Sequence, residues 1–61
     1  MLGVSWNGFQ ENMSVPESGN GYLVNIFAIY GRTYAAIISF IKDDYKLVKI
    51  PEEFVKFGRP R

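Results

Sequence analysis

The apolar positions of this chain recur with the alternating period that is typical of β-strands. Two long runs in its middle, Tyr22–Tyr30 and Thr33–Ile41, are rich in β-branched and aromatic residues. Gly31-Arg32 separates the two runs, and a glycine in the first position suits a two-residue type II′ turn. The pattern therefore predicts a central antiparallel hairpin in which the last residue of the first run pairs with the first residue of the second.

Turn signals divide the rest of the chain into short segments. Asn7-Gly8 is a favoured pair for a two-residue hairpin turn, and 15–21, "VPESGNG", has the composition of a loop. A third short apolar run follows the acidic turn sequence "KDDY". The predicted strands lie near Leu2–Trp6, Phe9–Ser14, Tyr22–Tyr30, Thr33–Ile41 and Tyr45–Ile50.

The segment after the last strand predicts a short helix near Glu52–Phe57. Pro51 suits the first helical position, and the two glutamates that follow it complement the helix dipole. Phe54 and Phe57 are three residues apart and would both face the sheet. Gly58 would end the helix, which leaves 58–61 as a basic C-terminal tail.

Together these elements predict an all-β protein with one short C-terminal helical turn. The 61 residues make a single small domain, 1–61. The expected architecture is a five-stranded antiparallel curled sheet or a small SH3-like barrel.

Both faces of the predicted central hairpin are apolar, unlike the faces of an ordinary one-sided sheet. One face would carry Tyr22, Val24, Ile26, Ala28, Tyr30, Ala35, Ile37 and Ile41. The other would carry Leu23, Phe27, Ile29, Tyr34, Ala36, Ile38 and Phe40, with Asn25 as its polar member. Either the chain covers both faces itself, or one face is an interface for a second copy or a foreign partner.

The amino-acid composition excludes most kinds of catalytic site and metal site. The chain has no cysteine and no histidine, so disulfides, thiolate metal sites and the commonest general base are excluded. Asp43-Asp44 is interpreted as a turn, and the glutamate pair as the acidic start of the helix. We therefore expect no enzyme activity, no metal, no cofactor and no small-molecule substrate. The N-terminus lacks the features of a signal peptide and no segment spans a membrane, so a cytoplasmic protein is expected.

The leading functional expectation is a non-enzymatic interaction module. Such a module would bind a larger protein, or its own copy as a homo-oligomer, through an apolar sheet face or a strand edge. Proteins of this size are common as phage or mobile-element accessory proteins that inhibit host machinery. Because aromatic and arginine side chains dominate hot spots, the expected contact residues are Trp6, Tyr30, Arg32, Tyr34 and Phe57. Burial in the core is the competing interpretation for the aromatic members.

Nucleic-acid binding is the alternative expectation. The net charge of +1 gives no strong overall attraction to nucleic acid, so this alternative depends on a local basic edge. The candidate residues for that edge are Lys46, Lys49, Lys56, Arg59 and Arg61. Strand tyrosines and phenylalanines would supply stacking surfaces for bases.

The tail adds a short resemblance to this alternative. Gly58-Arg59-Pro60 followed by Arg61 resembles the core of an AT-hook, which implies insertion of Arg59 into the narrow minor groove of A·T-rich DNA. The sequence departs from the AT-hook pattern at Phe57, where that family has a basic residue. A helix that ends at a glycine and is followed by a solvated terminus accounts for the same residues.

Overall fold

The computed structural model describes residues 2–10 and 15–58 and shows five antiparallel strands in one sheet. The strands are β1 (Gly3–Trp6), β2 (Gly19–Ile29), β3 (Arg32–Ile41), β4 (Asp44–Pro51) and β5 (Val55–Phe57). Within the described ranges the only helical element is a 3₁₀ turn, Glu52–Phe54. The strand order is β4-β3-β2-β1-β5, and β4 and β5 do not pair to close a barrel. The all-β prediction is confirmed, and the sheet stays open.

Two tight turns join the three central strands. Tyr30 and Gly31 have φ values of 50° and 80°, and positive φ at both central residues is the signature of a type I′ turn. The predicted type II′ turn at Gly31-Arg32 is therefore wrong by one position, and Ile29 pairs with Arg32 instead. Relative to the predicted pairing, β2 is shifted by two residues along β3. An even shift keeps the strand alternation, so most side chains stay on their predicted faces.

A bulge in β2 changes the face of its first residues. The register shifts between Leu23, which pairs with Ile37, and Asn25, which pairs with Ala36. One extra residue in a strand reverses the alternation beyond it. Leu23 therefore packs against the core, and Tyr22 moves to the opposite face, contrary to the prediction for both residues.

The predicted N-terminal hairpin at Asn7-Gly8 does not form. β1 pairs with β2 on one side and with β5 on the other, and Phe9 lies in the core outside any strand. The predicted strand Phe9–Ser14 is wrong at its start, and 11–14 lie outside the described residues. The predicted loop 15–21 is also too long, because β2 already begins at Gly19.

The C-terminal helix is shorter than predicted. Only Glu52–Phe54 form a 3₁₀ turn, with Pro51 at its N-terminal end and two glutamates in its first turn as expected. Val55 then returns to extended backbone and starts β5, since pairing with β1 satisfies its backbone better than a frayed helix end. Lys56 and Phe57 are thus strand residues, and of the predicted tail 58–61 only Gly58 is described.

The core lies against one face of the sheet, which we call the inner face. Its buried side chains are Val4, Trp6, Phe9, Ala35, Ile37, Ile41, Val48 and Ile50. The 3₁₀ turn and the segment after β1 cover this face, with Phe9 and Phe54 rings 5.5 Å apart. Ser39 is the buried polar residue of the described chain, and its Oγ donates a 2.6 Å hydrogen bond to the carbonyl oxygen of Asn20.

Candidate protein-binding surface

The opposite side of the sheet, the outer face, carries a row of large exposed apolar side chains. We call this row the outer strip; its residues are Tyr22, Ile38, Phe40, Tyr45 and Leu47, and they are between 37% and 69% exposed. Ile38 pairs with Tyr22 on one side and Leu47 on the other, and Phe40 pairs with Tyr45. Register therefore places all five on one face of three neighbouring strands. Five large apolar side chains side by side form a patch of the kind that marks interaction sites.

Cross-strand ring contacts hold parts of the outer face in place. Phe40 and Tyr45 meet edge to face with ring centroids 5.0 Å apart. Further along the sheet, Phe27 and Tyr34 stack at 5.8 Å, and the Arg32 guanidinium lies 5.8 Å from the Tyr34 ring centroid. Such pairs contribute roughly 0.5–1.5 kcal/mol beyond the area they bury, and they restrict ring rotation. The aromatic part of the surface is thus ordered before any partner arrives.

The charges nearest the outer strip on this face are basic. Lys49 pairs with Ala36 and Lys56 with Ser5, which places both lysines on the outer face. Arg32 forms an ion pair with Glu53 at 3.8 Å, and it is the sole salt bridge recorded between described residues. An apolar strip flanked by lysines suits a partner surface that is apolar at its centre and acidic at its rim.

A shallow groove continues the outer face from Tyr22 towards β5. Its floor is made of small residues, because Gly3 and Ser5 of β1 lie beside Gly58. Tyr22 and Lys56 form parts of its walls. The groove therefore offers space for a side chain or a segment of a partner that already contacts the strip.

The predicted contact residues differ in their exposure and in their location on the sheet. Trp6 is 2% exposed and its prediction as a contact residue is wrong, because its indole fills the core. Tyr30 is fully exposed at the tip of the β2–β3 hairpin. Arg32 and Tyr34 lie on the outer face beyond the strip, and Phe57 is partly exposed on β5 beside the groove.

The predicted basic edge is not assembled by the fold. Lys46 and Lys49 are on β4, whereas Lys56 is on β5 at the opposite edge of the sheet. Lys46 pairs with Ser39 and Lys49 with Ala36, so strand alternation points the two β4 lysines to opposite faces. Arg59 and Arg61 lie outside the described residues.

Most residues of the outer strip were not among the predicted contact residues. The pattern shows that both faces of the hairpin are apolar, but it does not say which face the rest of the chain covers. That choice depends on the 3₁₀ turn and Phe9 packing on the inner face. Tyr45 and Leu47 belong to an apolar segment whose pattern is typical of an ordinary edge strand. The bulge in β2 places Tyr22 on the outer face, within the strip.

The remaining chemistry of the described chain is sparse. Among residues 2–10 and 15–58, no three acidic side chains converge in a way that would hold a metal ion. The same ranges contain no helix of the length and apolar character needed to cross a membrane. The absence of catalysis and of a cofactor stays a prediction from the sequence.

No protein family model, no curated protein and no solved structure matches this chain significantly. The functional conclusion therefore depends on the surface itself.

Proposed function

We propose that the protein is a non-enzymatic interaction module that binds a larger protein through the outer strip. The observation that supports this proposal is the exposure of five large apolar side chains on one sheet face while the other face holds the core. Folding does not need this arrangement, because hydrophobic burial on the inner face already drives it. A surface of that composition gains free energy when a partner removes it from water.

We expect the partner surface to have an apolar centre that covers Ile38 and Leu47. Its rim is expected to be acidic, so that it contacts Lys49 and Lys56. Tyr22, Phe40 and Tyr45 supply the aromatic anchors that dominate hot spots. A module of this kind acts by occupying a surface of its partner. That mode of action fits an accessory protein or an inhibitor of cellular machinery.

Two substitutions on neighbouring residues of β4 test this proposal. Leu47→Glu places a charge in the outer strip, whereas Lys46→Glu places the same side chain one residue away on the other face. Both residues are exposed, so both variants are expected to fold. The measurement is recovery of bound protein from a lysate, with and without nuclease, by the wild type and each variant.

The expected result is a defined protein partner that resists nuclease, is retained by Lys46→Glu and is lost with Leu47→Glu. Equal recovery by both variants would overturn the assignment of the outer strip. Because the interface is mainly apolar, raising the salt concentration should weaken recovery only slightly.

Nucleic-acid binding is the second candidate, and one observation favours it. Exposed rings of Tyr22, Phe40 and Tyr45 share a sheet face with Lys49 and Lys56, and single-strand binders combine stacking rings with basic residues in this way. This function predicts nuclease-sensitive recovery that falls steeply with salt. Lys49→Glu would then weaken binding more than Lys46→Glu, because Lys49 shares the face of the rings whereas Lys46 lies on the other face.

A further inference from the structure

The long strand β2 is paired along only part of its length on the side that faces β1. Gly19–Tyr22 pair with β1, and the Leu23 N–H donates a 2.9 Å hydrogen bond to the carbonyl oxygen of Leu2. From Val24 to Ile29, β2 pairs with β3 but with no other strand of the described chain. We call the backbone side of Val24–Ile29 that points away from β3 the open edge.

The direction of the backbone groups along the open edge follows from one side-chain hydrogen bond. The Ile26 N–H donates to Oδ1 of Asn25 at 2.9 Å, so it points away from β3. Backbone groups of an antiparallel strand alternate in direction. Ala28, two residues on, therefore also directs its N–H and C=O towards the open edge.

The other long edge of the sheet, on β4, is protected against strand pairing in ways the open edge is not. Pro51 at its far end has no N–H to offer, whereas the open edge contains no proline. Two lysines also lie along β4. Charged side chains and proline are the usual devices that keep an edge strand from pairing.

The open edge lacks charge altogether. No charged residue lies between Glu17 and Arg32, and Val24, Ile26 and Ile29 are each more than 40% exposed. An exposed apolar edge whose backbone groups point away from the sheet is a template for one more strand. An uncharged edge matches its own copy, because an antiparallel repeat of it opposes no like charges.

We propose that two copies of this chain pair through their open edges, antiparallel and about a two-fold axis, to form one continuous ten-stranded sheet. Such an interface is isologous, so the hydrogen bond that the Ala28 N–H donates occurs twice, once from each copy. Added apolar burial suits a domain with only nine buried hydrophobic residues among those that the structure describes. The pairing is independent of the outer strip and would place both copies of that strip on the same paired sheet.

The test removes one N–H that the fold of a single copy does not use. Ala28→Pro deletes the outward N–H and leaves the β2–β3 ladder intact, and proline is tolerated on edge strands in this orientation. Ala28→Thr keeps the N–H and the strand propensity, and serves as the matched control. Sedimentation velocity over a range of concentrations measures association of the wild type and both variants.

The expected result is reversible dimerisation of the wild type and of Ala28→Thr, with Ala28→Pro weakened at least about tenfold because two inter-copy hydrogen bonds are lost. Leu47→Glu should dimerise like the wild type. Dimerisation of Ala28→Pro with unchanged affinity would overturn the proposal, as would a wild type that stays monomeric.

Amide hydrogen exchange of the wild type provides a second test that needs no substitution. The Ala28 amide should exchange rapidly in dilute protein and more slowly as the concentration rises, while amides bonded to β3 change little. An Ala28 amide whose exchange rate does not depend on concentration would contradict strand pairing between copies.

Discussion

The indole Nε1 of Trp6 donates a 2.9 Å hydrogen bond to the carbonyl oxygen of Pro16, ten residues further along the chain. This bond fixes the segment before β2 against the end of β1. It also satisfies a polar group on a ring that is otherwise enclosed by the core. The contact holds Pro16 against the inner face, where Phe9 and the 3₁₀ turn also pack.

Trp6→Phe tests this contact. Phenylalanine keeps an aromatic ring but loses volume and the donor to Pro16, so we expect the free energy of unfolding to fall by about 2–3 kcal/mol. Urea unfolding followed by circular dichroism measures it. A loss below about 0.5 kcal/mol would show that Trp6 does not organise the covering segment.

Gly21→Ala should be much more harmful than the same change at Gly3. A Cβ atom on Gly21 would overlap with the backbone carbonyl oxygen of Ile38, and backbone cannot move aside as a side chain can. A Cβ atom on Gly3 meets nothing within 4 Å. Thermal unfolding of both variants should show a loss of about 3 kcal/mol or more for Gly21→Ala and almost none for Gly3→Ala. Similar losses at both positions would contradict the close approach of β2 to β3.

Tyr30→Asn should stabilise the protein. Tyr30 has a φ of 50° in the type I′ turn before Gly31, a conformation in which asparagine is several-fold enriched. The tyrosine ring is fully exposed, so its removal costs no burial. We expect the free energy of unfolding to rise by about 0.5–1 kcal/mol. A lower free energy of unfolding would indicate that the Tyr30 ring contributes contacts of its own.

The alternation of apolar residues was sufficient to predict the strands of the central hairpin and the all-β class. It also placed Ile26, Ala35 and Ile37 on a common face. The predicted turn was wrong by one position because Gly31 suits either central position of a hairpin turn, and the structure uses Tyr30 as the other central residue.

The predictions of an N-terminal hairpin and a C-terminal helix were wrong for a different physical reason. Asn7-Gly8 has strong local turn chemistry, and "EEFVKF" has a helical spacing of its phenylalanines, but tertiary pairing overrides both. β1 gains two partners, β2, which begins only at Gly19, and β5, which lies near the other end of the chain. Non-local pairing of this kind leaves no signal in a short window of sequence.

The outer strip was predictable only as an excess of apolar residues. The sequence shows two apolar faces, and the structure assigns the inner face to the core. Leu47 and Lys46 on β4 show how fine the distinction is, because neighbouring residues on one strand point to opposite faces.

Site-specific photo-crosslinking from these two positions tests the proposed function most directly. A photoreactive phenylalanine analogue is placed at position 47 or at position 46 and activated by light in cells that contain the partner. Binding through the outer strip predicts a defined protein adduct from position 47 and none from position 46. An adduct that forms equally from both positions, or from position 46 alone, would contradict the outer strip as the binding surface.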